Sequence, residues 1–209
     1  AVSLGLIPED QQLTARERLE SLGLRCSFST NAEVMDRFDS SPVEARVSDL
    51  HDAFADRGVK GILTTLGGYN SNGLLGYLDY DLIRANPKIF CGFSDITALA
   101  TAIYARTGLV TYSGPHFTTF GMKRGIGYTL EYFERCLMSE EPFEVQPADH
   151  WSDDLWYQDQ EDRGHAEDHV LGTQLQRFGG PGRRAEQVRV RELHALRLPH
   201  RARRIKDGE

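Results

Sequence analysis

Ser94 and Asp95, the glycine pair Gly67-Gly68 and His116 are the residues whose types and spacing suit one reaction, acyl transfer through a serine. Such a nucleophile needs a base to take its proton, a group to orient that base, and N–H donors for the negative charge that forms on the attacked carbonyl. Ser94 follows the short apolar run Ile89-Phe90-Cys91 and the turn Gly92-Phe93, and precedes Ile96, Leu99, Ala100 and Ile103, which recur at helical intervals up to Gly108. Residues 88–108 therefore read as strand, sharp turn and helix, with the Ser94 hydroxyl at the sheet edge beside the first helical N–H groups. This is a nucleophile elbow in outline, with Ile96 where its signature glycine would stand. The plainer reading makes Ser94 a helix cap. Donors are available in either case: the Asp95 amide at the helix start, and the Gly67 and Gly68 amides in a loop that backbone can approach closely. The same glycines would equally serve a tight strand-to-helix turn. Asp95 itself reads as a carboxylate favouring the positive end of its own helix.

The base is harder to find. His116, in the loop Ser113-Gly114-Pro115-His116, can reach the same rim, as a base or as a structural hydrogen-bonding group. His51 shares a helix with Leu50 and Phe54, and His150 sits in a polar stretch; neither has a partner in the pattern. No pair of histidines or cysteines stands at a ligand interval with a third in support, so no metal and no cofactor is expected. Trp151 and Trp156 bracket Ser152-Asp153-Asp154, where an aromatic could stack on a flat ligand or pack against the domain.

These residues must be positioned by alternating elements. Thr14 with Glu17 reads as a capping box opening a helix to Gly23, and Leu24, Cys26 and Phe28 alternate as a short strand. Ser41, Pro42 and Glu44 form a second capping box, followed by the stripe Val43, Val47, Leu50 and Phe54. A strand over 61–66 leads into the glycine-rich turn 67–73, then short helices over 74–78 and near 81–85. After the elbow come a strand over 109–112, a helix over 129–137 with Leu130, Phe133 and Leu137 inward, and a strand through Phe143 and Val145. Strands alternating with helices predict an α/β fold with a mostly parallel sheet and helices on both faces. Ligands in that architecture sit beyond the carboxyl ends of the strands, and the three loops 67–73, 92–95 and 113–116 each follow a strand.

The 209 residues carry a net charge of −7, which argues against nucleic acid as a partner, and no apolar run is long enough to span a membrane. Cys26, Cys91 and Cys136 lack paired spacing and read as reduced core thiols, which points to the cytoplasm. No signal-peptide pattern opens the chain, which begins Ala1-Val2-Ser3, so an upstream piece with a first strand is expected to be missing. From about Gly164 the texture changes. The last 46 residues hold nine of the twenty arginines and four of the seven histidines with little apolar periodicity. That composition predicts an irregular or loosely docked tail, the kind of end a frameshift would also produce.

The segments FDSSPVEARVSDLHDAFAD, ILTTLGGYNSNGLLGYLDYDLI, NPKIFCGFSDITAL, GLVTYSGPHFTTFGM and WSDDLWYQDQ, between Phe38 and Asp159, resemble the LD-carboxypeptidase family of serine peptidases, in particular its branch of microcin C self-immunity peptidases. The resemblance implies a flavodoxin-like amino-terminal domain over 1–160, with 161–209 in place of the family's carboxyl-terminal domain. It makes Ser94 the nucleophile, with Asp95 and Gly67 or Gly68 as backbone oxyanion donors. Asn70, Ser71, Asn72, His116 and Trp156 (or Trp151, stacked on a nucleobase) become the expected substrate contacts. Family members cleave murein peptides before a terminal D-residue, or the amide of a peptidyl or aminoacyl nucleotide, and commonly pair as homodimers. Their glutamate and histidine come from the carboxyl-terminal domain, and nothing in 164–209 matches the segments that carry them. The chain as given is therefore expected to be inactive or weak. The alternative is a non-catalytic module that binds nucleotides or muropeptides. A flavodoxin-type phosphate site is disfavoured, because the 67–73 loop lacks a P-loop lysine.

Overall fold

The computed structural model describes residues 3–37 and 39–149, which fall into two compact units, 3–126 and 127–149. Residues from 150 onward, including Trp151, Trp156 and the expected tail, lie outside the described residues.

In the first unit, helix α1 (Glu9–Ser21) starts five residues before the Thr14 capping box predicts. Pro8 holds the N-cap position, and Glu9 and Asp10 place negative charge on the positive end of the helix. Thr14, inside the helix, turns its hydroxyl onto the Asp10 carbonyl instead (2.8 Å). Ala15 and Leu19 are buried, and the Arg18 guanidinium donates to the carbonyls of Phe120 and Met122. Gly121 permits the approach, since a Cβ there would meet the Gln11 carbonyl oxygen at 2.7 Å.

Residues 24–28 form no strand. Their alternation reflects packing: Phe28 stands edge-on to Phe117 (5.2 Å, 89°) with Arg16 over its face, and among the described residues no strand pairs with this segment. Helix α2 (Val43–Ala55) turns Val43, Val47, Leu50 and Phe54 to the core as its stripe predicts. Its second capping box is not formed, because the Ser41 hydroxyl donates to the Val34 carbonyl (2.6 Å) and Pro42 takes the cap position. Beyond its last turn, Lys88 Nζ donates to the carbonyls of Asp56 and Val59 (2.6 and 2.7 Å), a cation where the helix dipole is negative.

Strands β1 (Gly61–Leu63) and β2 (Ile89–Cys91) pair in parallel, Gly61 opposite Ile89 and Leu63 opposite Cys91. The expected 61–66 strand stops early because its backbone changes partner: the Thr64 and Thr65 carbonyls accept from the amides of Phe117 and Thr118. The expected 109–112 strand is reduced to one parallel bridge, Cys91 to Tyr112. Between β1 and β2 lie a 3-10 turn (Ser71–Leu74), in place of the helix expected over 74–78, and helix α3 (Tyr80–Ala85), capped by Asp79 on the Leu82 amide. Helix α4 (Thr97–Thr107) follows β2 and ends at Gly108, left-handed at φ +75°. Phe54, Leu74, Ile83, Phe90, Ile96, Leu99 and Ile103 form the core, with the rings of Phe54 and Phe90 stacked. The described fold is α/β with a small parallel sheet.

In the second unit, helix α5 (Gly127–Leu137) buries Phe133 and half-buries Leu130 and Leu137, as expected. Phe143 and Val145 form no strand. The segment is held by side chains instead, the Tyr132 hydroxyl accepting from the Gln146 amide (2.6 Å) and the Tyr128 hydroxyl donating to its carbonyl. Val145 is exposed.

Candidate functional site

Ser94 leaves β2 through Gly92 and Phe93 and heads a 3-10 turn (Ser94–Ile96) that runs into α4. Its φ is +62°, a left-handed conformation that costs a residue with a Cβ about 1–2 kcal/mol. Besides Asp39, it is the only non-glycine residue with positive φ among the described residues. A helix cap has no need of that conformation, since N-caps are ordinarily extended. A hydroxyl that must stand clear of a strand-to-helix turn does need it. Ser94 is exposed, with its turn set on the buried residues Cys91, Gly92 and Ile96.

Two glycines make room around it. A Cβ at Gly92 would lie 2.3 Å from Thr64 Oγ1, so no side chain fits under the turn. A Cβ at Gly67 would lie 3.1 Å from both Cβ and Oγ of Ser94, which places the glycine loop directly beside the hydroxyl. Gly68 has φ +142°, again a region that favours glycine. The three loops expected at one rim do meet: a Gly67 Cβ would lie 3.1 Å from Ser94 Oγ and 3.7 Å from His116 Nε2, and the Asn70 amide donates to Asp95 (3.1 Å).

His116 lies inside this junction. It is 1% exposed, its Nδ1 stands 2.8 Å from Thr64 Oγ1, and the Phe93 ring stacks on it at 4.2 Å. Its Nε2 lies 3.7 Å from the point a Gly67 Cβ would occupy and has no hydrogen-bond partner. Burial pushes its pKa down to about 4, and the Phe93 backbone pulls the other way. The imidazole is thus neutral at pH 7, and no hydrogen bond joins it to Ser94. His51, the other histidine among the described residues, accepts from the Asp79 amide (2.9 Å) and is a structural partner of that turn.

Asp95 stands in the first turn, as expected of a carboxylate at the positive end of a helix, and it does more than that. Its Oδ2 accepts from the backbone amides of Asn70 and Ser71 (3.1 and 2.9 Å), tying the residue after Ser94 to the glycine loop. Arg46, on α2, donates through Nη1 to Asn70 Oδ1 (2.9 Å). Burial lowers the Arg46 pKa, opposed by the charges of Asp36 and Asp95. Ser71 is wholly buried, and Asn72 is exposed. Sequence reasoning passed over both Arg46 and Thr64. Arg46 sits beside an apolar stripe, and Thr64 closes a strand; neither position carries a signal until the chain is folded. A shallow depression of about 410 Å³ along α2, lined by Val43, Val47, His51 and Tyr77, includes none of these residues. Among the described residues, no three histidine, cysteine or acidic side chains are grouped to hold a metal ion, and no helix is long and apolar enough to cross a membrane.

Residues 1–114 match the family model for the LD-carboxypeptidase N-terminal domain, Peptidase S66. Among curated proteins, the chain is 52% identical over 188 residues, 84% of its length, to the putative carboxypeptidase YocD of Bacillus subtilis strain 168. Among solved structures, an MccF-like protein from Bacillus anthracis str. Ames superposes with a TM-score of 0.77 at 57% identity, over 79% of this chain. Microcin C7 self-immunity protein MccF, solved with aspartyl sulfamoyl adenosine, superposes at 0.72 with 29% identity, over 78% of this chain. The chain spans 58% of the length of YocD, and 51% and 52% of the two solved chains.

Proposed function

The chain belongs to the LD-carboxypeptidase family, Peptidase S66, and we propose that it carries that family's nucleophile, Ser94, for hydrolysis of an amide through an acyl-serine. In that reaction Ser94 Oγ bonds to the amide carbonyl carbon and gives up its proton to a base. The C–N bond breaks, the amine leaves protonated, and water then releases the acid from the ester. The amides of Asp95 and of Gly67 or Gly68 take the charge on the carbonyl oxygen. The observation that carries this reading is the exposed Ser94 at φ +62° with Gly67 against its hydroxyl.

Among the described residues neither histidine bonds to Ser94: His116 pairs with Thr64, and His51 is engaged by Asp79. We therefore propose that this chain by itself turns substrate over slowly, since losing one member of a catalytic triad leaves a small fraction of the rate. The substrate class is a small amide, either a peptide shortened at its carboxyl end, as the carboxypeptidase relatives' names suggest, or an aminoacyl nucleotide, the kind of ligand carried by MccF. The cytoplasm is the compartment we propose, since Cys26, Cys91 and Cys136 stand at no spacing typical of a disulfide framework. A homodimer is the assembly we propose, and light scattering at twice the chain mass checks it.

The test is incubation with a murein tetrapeptide and, separately, aspartyl sulfamoyl adenosine, following product and the mass of the Ser94 peptide. The expected result is slow, Ser94-dependent release of one of them. Release that persists in Ser94→Ala overturns the nucleophile, and release at an ordinary enzyme's rate overturns the proposed weakness. The lack of a bonded base favours one other reading, a module that binds these ligands without cleaving them. Calorimetric heat with no release would select it.

A further inference from the structure

We infer that Asp95 and Arg46 are positioning residues that hold the glycine loop at its working distance from Ser94, and that Asn70 and Ser71 serve that frame rather than the substrate. The inference rests on the serine-nucleophile reading and extends it to two side chains that touch no reacting atom.

An oxyanion donor works only when its N–H stands within about 3 Å of the position the charged oxygen will occupy. The loop offering those donors is built against such precision. Gly67, Gly68 and Gly73 fall within seven residues, and glycine loses the most conformational freedom on ordering. Something must hold it. The carboxylate one residue beyond the nucleophile accepts the amides of Asn70 and Ser71, three residues or fewer from Gly68. Charge-assisted bonds of this kind are about twice as strong as neutral ones.

Arg46 grips the same residue from α2. Its Nη1 donates to Asn70 Oδ1 at 2.9 Å and reaches the Asn70 carbonyl at 3.5 Å. The amide side of Asn70 is thus held from the nucleophile turn, and its oxygens from α2. Ser71 cannot contact a ligand, since it is 0% exposed. The clamp couples the two halves of the site: whatever moves the Ser94–Asp95 turn carries the donor loop with it.

The test uses the 209-residue chain and a fluorophosphonate, which reports on the reactivity of Ser94 directly. Ser94 Oγ bonds to phosphorus, the P–F bond breaks, fluoride leaves, and the serine proton goes to solvent. The variants are Asp95→Asn, Arg46→Met and Arg46→Lys, the last keeping the charge but not the fork geometry. Labelling is split into a maximal rate and an apparent affinity, and hydrogen exchange is read at the Asn70 and Ser71 amides. Asp95→Asn and Arg46→Met are expected to cut the maximal rate about tenfold or more with the affinity changed far less, because misplacing a group by about 1 Å costs on the order of a hundredfold. Both amides should exchange faster, and Arg46→Lys should restore part of the rate if Asp95→Asn proves too unstable to read.

An unchanged maximal rate despite faster exchange overturns the inference and leaves the nucleophile standing. Unchanged exchange in all three variants overturns it as well. No labelling of Ser94 in the unaltered chain overturns the acyl-serine reading itself, and the positioning role falls with it.

Discussion

Nδ1 of His116 and Oγ1 of Thr64 stand 2.8 Å apart behind the Ser94 turn, a side-chain bond on an imidazole that is 1% exposed. Thr64→Val keeps the shape and removes the hydroxyl that pairs with Nδ1. A buried polar group left unsatisfied costs about 1–3 kcal/mol. Urea denaturation of the variant is expected to show that loss, and an unchanged midpoint would mean the bond contributes nothing.

The same burial fixes a pH dependence. His116 titrates at about 4 in the folded chain and near the ordinary 6.5 when unfolded. Between those values the unfolded chain binds the extra proton, so the group's contribution is fully present above pH 6.5 and is lost as pH falls toward 4. Its full size is about 3 kcal/mol. Stability measured from pH 7 to 4, and compared with His116→Gln, should lose this slope in the variant. Parallel curves would place the proton elsewhere.

Gly92→Ala puts a methyl group 2.3 Å from Thr64 Oγ1 and 3.0 Å from Ile96 Cγ2. Forcing atoms into a packed site costs about 1–3 kcal/mol. Gly73→Ala meets nothing within 4 Å and serves as the control, expected to stay within about 0.5 kcal/mol. Equal denaturation midpoints for the two variants would count against the packing under the turn.

Gly67→Ala separates the chemistry from the fold. Its Cβ would sit 3.1 Å from Ser94 Oγ, a few tenths of an ångström too close, with an exposed side chain able to give. Fluorophosphonate labelling of Ser94 should fall about tenfold, the scale of a displaced reacting group, while the melting temperature moves little. Labelling at the original rate would remove Gly67 from the neighbourhood of the reacting oxygen.

The parts legible in the sequence are those written in local periodicity. The change from a run (Ile89-Phe90-Cys91) to helical spacing (Ile96, Leu99, Ile103) marks the elbow before any fold is known, and the α2 stripe likewise marks its buried face. Competition between local signals misplaced the start of α1, where Pro8 with Glu9 and Asp10 outweighs the Thr14 box. The strand expected at Leu24, Cys26 and Phe28 failed for another reason. Alternation shows which side chains are inward but not whether a neighbouring backbone exists to pair with. The role of Asp95 was half legible for the same reason: its place in the first turn follows from local sequence, but the two amides it accepts from lie in a loop 24 and 25 residues away. Arg46 and Thr64 acquire meaning only from such distant partners.

The left-handed backbone at Ser94 bears on how this segment would be inherited. Glycine would sit there without steric strain, and the chain entropy it adds costs about 0.4–1 kcal/mol, no more than the strain it relieves. Mutation to glycine is thus open to the chain at no cost to its packing. A lineage with no use for the hydroxyl would drift to that relaxed form. Serine at this position in a freely evolving relative is therefore a mark of selection for the oxygen, readable without an assay.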